Sequence, residues 1–462
     1  MKTVIYSLCL SFLFVSCKNK ETEQQQNIPI KKPNIVLLLA DDMGYGELGS
    51  YGQKEIKTPF LDSLASQGMR FTDFYAGTSV CSPSRAVLMT GIHTGHVSIR
   101  GNKGKFEKKW GRVPLRKTEV TLAEMLKGAG YQSAMIGKWH LGVPEDMSTW
   151  AKGRGFDYAV QEQWGISAKG NEIDERVHWV NNNQDSILYD YTKYSCLDEF
   201  RTNFALDYLE NKKEDDKPFF MYMSYRIPHA HEYFIKHNTL YAEKGWPEEE
   251  RNHAARITMF DGQVRRLFNL LKTKGELENT IILFSSDNGP QKENHDPLFF
   301  ESSGGLKGHK RDLYEGGIRE PMFAYWKGKI NAGTTTDHPS TFYDVMPTFA
   351  EIAGVEAPKQ TDGISFLPEL LNKKQAKHNH LYWEIQEGRN EKGFRQATRK
   401  GKWKAVRYGD SYKTELYDLD NDINETNDIS SKYPEILEKM NAILKKESVK
   451  IEHYPNSGGI FK

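Results

Sequence analysis

The sequence predicts an α/β protein: a large, mostly parallel sheet sandwiched by helices, followed by a smaller C-terminal α+β subdomain with an antiparallel sheet and a helix. From residue 33 onward, apolar runs alternate with segments whose apolar residues recur at helical spacing. The first run, residues 34–40, is nearly continuous, as expected for a strand buried on both faces of a parallel sheet. Beyond residue 370, short strand-like segments separated mostly by glycine-containing turns replace this alternation, which indicates antiparallel hairpins.

The individual elements follow from local patterns. Strands are predicted at 34–40, 131–136, 218–225 and 281–285, and helices at 58–67, 121–127, 197–211 and 254–272. Strands that alternate with helices favour a parallel sheet covered on both sides. In the C-terminal part, strands are predicted at 381–385, 394–399, 403–408 and 415–418, and a helix at 433–446. We place the domain boundary in the polar, lysine-rich segment that begins at residue 371, which gives domains of 33–370 and 371–462.

The N-terminus has the pattern of an export signal. Lys2 provides a positive start, and the apolar run of residues 4–15 is too short to span a bilayer. The run ends in F-V-S-C, which resembles a lipoprotein cleavage box with Cys17 as the lipidated residue, although phenylalanine stands where leucine is usual. We expect a signal peptide at 1–17 and a flexible polar tether at 18–32. The protein is then exported to the periplasm or outer membrane and anchored in the membrane by lipid at Cys17; ordinary cleavage and release is the alternative.

Overall charge and cysteine content exclude some classes of protein. The chain has 63 basic and 62 acidic residues, a formal charge of +1, so bulk charge gives no reason to expect nucleic-acid binding. Its four cysteines are Cys9, Cys17, Cys81 and Cys196. Exported proteins often use paired cysteines as disulfides, but no disulfide is needed to explain these four.

The segment 81–91 reads C-S-P-S-R-A-V-L-M-T-G and predicts the start of a helix. Ser82 is suited to cap the first turn, Pro83 to occupy the first helical position, and Gly91 to end the helix. Cys81 then lies at the positive end of the helix dipole, where thiol pKa values are lowered. Taken alone, a buried thiol beside a capped helix is the ordinary interpretation.

Two acidic segments follow predicted strands. Asp41 and Asp42 end the first strand, and Asp287 with Asn288 follows the strand at 281–285. Each segment alone is also typical of a turn. Together they supply three carboxylates and one amide oxygen, a set of hard ligands that suits Ca²⁺ rather than Zn²⁺.

Several motifs in order resemble those of the type I sulfatases, members of the alkaline phosphatase superfamily. In that family the cysteine of C-x-P-S-R, followed here by A-x-x-x-T-G, is oxidised after synthesis to formylglycine. Further matches are D-D-M-G-Y-G from residue 41, G-K-W-H-L-G from 137, P-H at 228–229, S-D-N-G-P from 286, and G-H-K from 308 followed by L-Y-E-G-G-I-R. The resemblance covers about residues 33–430. It departs at Ile423, where the family commonly has proline.

This resemblance implies a set of site residues and a chemistry. The implied catalytic residues are Cys81, Arg85, Lys138, His140, His229 and Lys310. The implied metal ligands are Asp41, Asp42, Cys81, Asp287 and Asn288. The formylglycine hydrate has two hydroxyls: one binds Ca²⁺ and attacks sulfur, and the second expels sulfate and regenerates the aldehyde.

The other residues have supporting roles in this scheme. Arg85 fixes the hydrate and the acidic ligands, and Lys138 and Lys310 neutralise the sulfate oxygens. His140 assists collapse of the hydrate, and His229 protonates the leaving sugar oxygen; the neighbouring His231 and His309 are alternatives for these roles. The cofactors are Ca²⁺ and formylglycine derived from Cys81, and a separate maturation enzyme is implied as a partner.

A basic segment at 101–117 suggests the substrate. It has seven lysines and arginines against one acid, and it follows a motif expected near the site. It is either an ordinary solvated loop or a rim that attracts a polyanionic glycan. We expect substrate to be bound by Lys138, His229, Lys310, Arg100 and Lys103. We favour a sulfated glycan, one containing galactose or galactosamine, over a small aryl ester.

Two other functions fit parts of the sequence. A formylglycine-dependent phosphodiesterase or phosphonate hydrolase of the same superfamily shares the cysteine motif, but such enzymes usually have histidine where this chain has Asn288. A glycan-binding lipoprotein without activity is the other alternative, although every implied catalytic residue is present.

Overall fold

The computed structural model describes residues 1, 31–162, 177–182, 186–190, 192–212, 217–229, 239–293, 295–409 and 413–458. The chain divides into two compact units, Met1–Lys31 and Lys32–Lys462, and the fold below is that of the second. The predicted signal peptide, nearly all of the predicted tether, and Cys17 lie outside the described residues, so these assignments stay predictions. In the described part of the chain, no helix is both long enough and apolar enough to cross a membrane.

The strands, in chain order, are β1 (Asn34–Asp41), β2 (Met69–Phe71), β3 (Phe74–Tyr75), β4 (Gly104–Phe106), β5 (Lys109–Gly111), β6 (Gln132–Gly137), β7 (Tyr158–Glu162), β8 (Val177–Val180), β9 (Ser186–Leu188), β10 (Phe219–Pro228), β11 (Thr280–Ser286), β12 (Met322–Trp326), β13 (Thr334–Thr336), β14 (Ser340–Thr341), β15 (Leu381–Gln386), β16 (Phe394–Lys400), β17 (Trp403–Tyr408) and β18 (Thr414–Asp418). The α-helices are α1 (Pro59–Ser66), α2 (Cys81–Thr90), α3 (Leu122–Gly128), α4 (Leu197–Asn211), α5 (Glu248–Thr273), α6 (Glu315–Ile318), α7 (Val345–Ala353), α8 (Leu367–Leu370) and α9 (Pro434–Glu447). Short 3₁₀ helices cover Gly49–Tyr51, Met147–Thr149, Lys152–Arg154, Ala242–Lys244, Glu276–Asn279, Phe342–Asp344 and Glu391–Gly393.

Ten of the described strands form one mixed sheet in the order β13-β2-β12-β11-β1-β10-β6-β7-β8-β9. The five central strands, β11-β1-β10-β6-β7, are all parallel. The antiparallel pairings lie towards the two edges, between β11, β12 and β2 on one side and between β7, β8 and β9 on the other. The predicted parallel sheet is therefore confirmed at its centre. The edge strands were missed because they are short.

Side chains of β1 alternate between two hydrophobic cores, one on each face of the sheet. Ile35, Leu37 and Leu39 belong to one core, together with apolar residues of α2, α3 and α7. The residues between them belong to the other core, together with residues of α1, α4 and α5. Successive side chains of a strand point to opposite faces. A run whose odd- and even-numbered residues are all apolar therefore has to be covered on both faces of the sheet. This confirms the predicted sandwich.

The C-terminal part contains a second sheet of four antiparallel strands in the order β15-β16-β17-β18. Helix α9 packs on it, with Met440 in a small core beside Ala405 and Leu416. Other residues of this sheet, Trp383 among them, belong to the core on the α2 side of the large sheet. This agrees with the predicted α+β part, while the boundary after residue 370 stays a prediction.

The longest helix differs most from its predicted bounds. Helix α5 begins at Glu248, six residues before the predicted start at 254, with Pro247 as its N-cap residue. Its first turn contains Glu248, Glu249 and Glu250. Carboxylates in the first turn stabilise a helix through its dipole, so these polar residues extend a helix whose apolar pattern begins only later.

Candidate active site

The carboxyl ends of four adjacent parallel strands deliver the predicted site residues to one edge of the sheet. Asp41 ends β1, and Lys138, His229 and Asp287 directly follow β6, β10 and β11. In open α/β sheets, this edge is where ligands bind. The register confirms the proximity, because Asp41 lies opposite Pro228 across an irregularity in the β1–β10 pairing.

The backbone turns sharply at Asp42, whose φ of 65° is in the left-handed region. Aspartate is one of the few residues other than glycine that adopt this conformation readily. The Asp42 N–H donates to Asp287 Oδ1 at 3.0 Å, and the Asp287 N–H donates to the Ala40 carbonyl at 3.2 Å. These bonds hold the two acidic segments together.

Helix α2 presents Cys81 to this edge from its first residue, and all ten residues of the helix are buried. The helix ends as predicted at Gly91, which has a φ of 71° and whose N–H donates to the Val87 carbonyl. The predicted cap is wrong: Val80 is the N-cap residue, and Ser82 instead donates its hydroxyl to the His140 carbonyl at 2.8 Å. The Ser82 hydroxyl therefore connects the start of α2 with the segment that contains His140.

The Cys81 thiol lies among the charged groups of the site. Its Sγ is 3.5 Å from Asp41 Oδ1 and 3.7 Å from Asp42 Oδ1. Burial raises the pKa of the thiol to about 12, although Lys138 and Lys310 act in the opposite direction. The expectation of a lowered thiol pKa is therefore wrong, because loss of solvent outweighs the helix dipole and the lysines. A thiol whose pKa is raised in this way is a poor nucleophile at neutral pH.

Two lysines neutralise the two aspartates that end β1. Lys138 Nζ lies 2.8 and 2.7 Å from the two oxygens of Asp41, and Lys310 Nζ lies 2.6 Å from Asp42 Oδ2. Burial by itself would raise the pKa of Asp41, but the positive charges of Lys138, Arg85 and Arg226 hold it well below its usual value. Burial likewise acts to lower the pKa of Lys310, and Asp42 reverses this and raises it.

Arg85 connects the predicted metal-ligand segments through both sides of its guanidinium group. Its Nε and Nη2 lie 2.8 and 2.7 Å from Asp287 Oδ2, and Nη2 lies 3.5 Å from Asp41 Oδ1. Its Nη1 donates to the Lys138 carbonyl at 2.9 Å and to the Ser224 hydroxyl. The side chains of Arg85, Asp41 and Asp287 are fully buried. The geometry makes Arg85 a scaffold for the site.

Replacing Arg85 with methionine should therefore destabilise the protein strongly. The change leaves the buried Asp287 carboxylate without its close cation, and breaking a buried pair costs about 3–5 kcal/mol. Denaturant unfolding measures the free-energy difference. The control is Lys127→Met, which breaks the exposed Lys127–Asp157 pair and should cost less than about 1 kcal/mol. Equal losses for the two variants would contradict the scaffold role.

The acidic residues and Asn288 provide a donor set that fits a Ca²⁺ ion. Asn288 Nδ2 donates to Asp42 Oδ1 at 2.7 Å and to the Gly289 carbonyl at 3.0 Å. Its Oδ1 is buried and has no hydrogen-bond partner among the described residues. Burial also raises the pKa of Asp287 to about 6, in spite of Arg85. A buried acceptor without a donor, beside a carboxylate that is costly to ionise, is an environment that an oxygen-binding cation would stabilise.

The two predicted catalytic histidines lie at different depths. His229 is 9% exposed and has its Nε2 3.5 Å from Asp42 Oδ2. His140 is 6% exposed, has a φ of 59°, and lies two residues after Lys138. Burial lowers the pKa of His140 well below its usual value, and Arg112 and Lys138 add to this effect. His140 is therefore a neutral imidazole, whereas His229 lies closest to solvent.

The alternatives to these histidines are placed less favourably. His309 is partly exposed, and its Nδ1 lies 3.0 Å from the Lys310 carbonyl and 3.5 Å from Asp312. His231 lies outside the described residues. The assignment of His140 and His229 stays a prediction, which the geometry of the described residues favours.

Arg100, which was predicted to bind substrate, is buried and paired within the protein. It is 1% exposed, and its guanidinium group pairs with Glu384 at 2.8 Å and donates to the Val449 carbonyl. It therefore lies in the interior and not on an exposed surface. Lys103 is exposed one residue after Asn102, whose side chain accepts from the Ser82 N–H at 3.0 Å. Lys103 therefore stays a candidate for the rim.

Sequence reasoning missed Arg226, which extends the charge network behind Asp41. Its Nε lies 3.6 Å from Asp41 Oδ2, and its Nη1 lies 3.1 Å from Glu162. Glu162 also pairs with Arg201 at 2.9 Å. The available signal was an arginine in a largely apolar strand segment. Arginine is seldom fully buried unless it is paired, so a partner could have been expected.

Fold and site together define an α/β enzyme with a buried, highly charged centre. Comparisons with known proteins specify the class. The family described as Sulfatase matches residues 33–355, and the one described as N-sulphoglucosamine sulphohydrolase, C-terminal, matches residues 307–450. The chain belongs to the sulfatase family. It is a type I sulfatase of the alkaline phosphatase superfamily, and hence a sulfuric ester hydrolase.

Individual relatives agree with this assignment. The chain is 31% identical over 418 residues to an arylsulfatase of Hemicentrotus pulcherrimus, covering 85% of this chain and 71% of that protein. It is 32% identical over 374 residues to the N-acetylgalactosamine-6-sulfatase of Sus scrofa, covering 76% and 68%. Among solved structures, Ps i-CgsB in complex with k-i-k-neocarrahexaose has a TM-score of 0.75 and 26% identity, covering 90% of this chain and 92% of that one.

Proposed function

We propose that this sulfatase hydrolyses sulfate esters of a sulfated polysaccharide or oligosaccharide, with a formylglycine hydrate formed from Cys81 as its nucleophile. The position and protonation of Cys81 carry the proposal. The thiol lies within 4 Å of two carboxylates, and burial keeps it protonated. A cysteine in this environment is a poor nucleophile, whereas the hydrate of an aldehyde at the same position offers two hydroxyls to the same surroundings.

Asp41, Asp42, Asp287 and Asn288 would hold the Ca²⁺ ion that the family implies. When bound, the ion would supply a Lewis acid that lowers the pKa of a coordinated hydroxyl group. Arg85 orients two of these carboxylates through its contacts with Asp41 and Asp287. A structural arginine of this kind keeps the acidic residues in place before and after the reaction.

The remaining residues divide the two chemical steps between them. One hydroxyl gives up its proton to solvent and attacks sulfur. The bond from sulfur to the sugar oxygen breaks with its electron pair on that oxygen, and His229 gives the oxygen a proton. The second hydroxyl then loses its proton to His140, sulfate leaves with the electron pair of its bond to carbon, and the aldehyde is regenerated. Water restores the hydrate. Lys138 and Lys310 neutralise the sulfate oxygens in both steps.

Exposure supports the orientation of the ester in this scheme. Among the proposed catalytic residues, Cys81 and Lys138 are each 1% exposed, and His229 is the most exposed at 9%. A sulfate group bound at the lysines would therefore be enclosed, and the sugar oxygen would lie at His229, the least buried of these residues. This arrangement suits a large leaving group such as a glycan.

Two further observations support a sulfated glycan as substrate. Relatives include an N-acetylgalactosamine-6-sulfatase, and a structural relative was solved with k-i-k-neocarrahexaose. In addition, the hairpin of β4 and β5 lies in the predicted rim and carries exposed lysines, at positions 103, 105, 108 and 109. Exposed lysines attract a polyanion over a range set by the Debye length, so we expect KM to rise with salt concentration.

We further propose export and lipid anchoring at Cys17, which would place the enzyme where such glycans occur.

Sulfate release from a panel of defined sulfated oligosaccharides tests this function. The panel includes galactose- and N-acetylgalactosamine-containing members, together with a matched aryl sulfate and aryl phosphodiester. We expect the highest kcat/KM for one of the sulfated oligosaccharides, and mass spectrometry of the peptide that contains residue 81 to show formylglycine. Preference for the phosphodiester would overturn the proposal, as would full activity with unmodified cysteine.

A further inference from the structure

A second group of metal-ligating side chains lies apart from the residues assigned to Ca²⁺. Glu47 follows β1, His253 belongs to α5, and His295 lies in the segment between β11 and α6. Their exposed fractions are 0%, 1% and 7%. One ligand atom from each side chain lies within 4.8 Å of the corresponding atoms of the other two. Three distant parts of the chain thus bring two imidazoles and one carboxylate together in the interior.

Close contacts hold two of the three side chains in place. Glu47 Oε1 lies 2.6 Å from His253 Nε2, and Glu47 Oε2 accepts from the Gly44 N–H at 2.9 Å. The rings of His253 and His295 stack with their centroids 3.7 Å apart and their planes 12° from parallel. The carboxylate is therefore oriented by its own loop, with an oxygen directed at the histidines.

The third side chain, that of His295, is buried, and its polar atoms lack hydrogen-bond partners among the described residues. Neither ring nitrogen of His295 has a hydrogen-bond partner among the described residues, and the same is true of the neighbouring Glu250 Oε2. His295 Nδ1 lies 3.5 Å from that oxygen, within ion-pair distance but not in hydrogen-bonding geometry. Buried polar groups are nearly always satisfied in folded proteins, so three such atoms in one place indicate a ligand.

Charge points to a cation as that ligand. No lysine or arginine forms an ion pair with Glu47 in the described part of the chain; the ion pair recorded for it is with His253. Burial raises the pKa of Glu47 to about 7 and lowers that of His295 to about 3. A neutral imidazole is the form that coordinates metal. The positive charge of Arg256 also lowers the pKa of Glu47, but burial outweighs it. A bound cation would favour the ionised carboxylate, whose burial is otherwise costly.

We propose that Glu47, His253 and His295 bind a divalent transition-metal ion of the Zn²⁺ type, separate from the Ca²⁺ site. Two imidazoles and one carboxylate are a ligand set suited to Zn²⁺, whereas Ca²⁺ prefers oxygen ligands only. The lone pair of an imidazole lies in its ring plane, so sharing one ion requires the two rings to turn out of their parallel stack. The cavity of about 750 Å³ that His295 helps to line gives an ion access from solvent.

Such an ion would join three segments that surround the active site. Glu47 lies five residues after Asp42, and His295 is in the same loop region as Lys310, whose N–H donates to the Pro290 carbonyl at 2.9 Å. Helix α5 provides the fixed third point. Binding to the folded state alone raises the unfolding temperature, so Zn²⁺ should stabilise the protein as well as bind to it.

The other histidine cluster provides a matched control. His93 Nδ1 accepts from the Gly95 N–H at 3.1 Å, so its Nε2 carries the proton and faces Glu447 at 3.4 Å. His96 Nδ1 lies 3.1 Å from both oxygens of Asp362. These histidines have polar partners without a metal ion, unlike His295.

The experiment is a Zn²⁺ titration by calorimetry of the metal-stripped protein, resaturated with Ca²⁺, alongside thermal unfolding. We expect one high-affinity Zn²⁺ per chain and an increase in Tm. His295→Gln should weaken Zn²⁺ binding by at least about 100-fold and abolish the increase, since loss of an outer partner of a ligand already costs 10–100-fold. His96→Gln should bind as the unchanged protein does.

The proposal would be overturned by no high-affinity Zn²⁺ in the unchanged protein, by full affinity in His295→Gln, or by equal weakening in His96→Gln. His295→Gln should fold, because neither ring nitrogen of His295 has a hydrogen-bond partner among the described residues. His253→Asn serves as a second variant, and the Tm of the metal-free proteins shows whether each variant is folded. Zn²⁺ that is lost only in Asp42→Asn belongs to the catalytic centre and would also contradict the second site.

Discussion

Cys81→Ala protein is expected to release sulfate at background rates while remaining folded. The change removes the residue that becomes the nucleophile, and loss of a nucleophile lowers kcat by about 10⁶-fold in a well-studied hydrolase. The side chain is buried, and within the described part of the chain its thiol contacts are long, 3.5 Å to Asp41 Oδ1 and 3.7 Å to Asp42 Oδ1. Initial rates of sulfate release and the Tm of both proteins provide the measurement.

Cys196→Ala is the control for this experiment. Cys196 is also a buried cysteine, but it precedes α4 and is not among the site residues. We expect its activity to stay within a few-fold of the unchanged protein. Substantial sulfate release by Cys81→Ala would place the chemistry at another residue.

A serine variant separates the two chemical steps. Cys81→Ser has one hydroxyl, so it can attack sulfur but has no second hydroxyl to expel sulfate. We expect at most one turnover per chain, with a covalent sulfate ester at position 81 that mass spectrometry detects. Continued turnover by this variant would contradict the hydrate mechanism.

Asp42→Asn is expected to lower kcat/KM by at least about 1,000-fold, more than the 10–100-fold that follows loss of an outer partner of a metal ligand. The Asp42 carboxylate accepts from Asn288 at 2.7 Å and from Lys310 at 2.6 Å. An amide of the same size loses the charge that holds Lys310 and attracts Ca²⁺. Asparagine also tolerates the left-handed φ of 65° at this position, so folding should be preserved.

Sulfate release as a function of added Ca²⁺ measures this effect. The variant should need a higher Ca²⁺ concentration and should not regain full activity at saturation. Asp337→Asn, at an exposed aspartate, should retain the Ca²⁺ dependence of the unchanged protein. An Asp42→Asn enzyme with unchanged Ca²⁺ dependence would remove Asp42 from the metal site.

The strand ends were predictable because a local pattern and one rule about sheets suffice. Nearly all of residues 34–40 are apolar, at odd- and even-numbered positions alike, which requires a strand covered on both faces. Parallel strands then direct their carboxyl ends to one edge of the sheet. Asp41 and Asp287 follow two such strands, so their proximity could be expected. Residue types then suggested the kind of metal ion.

Other features depended on contacts between distant residues. Ser82 looks like a capping residue in its own segment, but the structure uses its hydroxyl to bind the His140 carbonyl. Arg100 was predicted to bind substrate, but Glu384, from a strand almost 300 residues later, pairs with it in the interior. Neither partner can be found from local spacing.

The same division applies to the cysteine at the start of α2. The sequence by itself determined that Cys81 begins a helix in a sulfatase motif, because that information is contained in eleven consecutive residues. Only the tertiary structure decided the state of its thiol. Complete burial outweighs the helix dipole and two nearby lysines, and it raises the pKa to about 12. Desolvation depends on everything that surrounds a group, so it could be assessed only after the chain was folded.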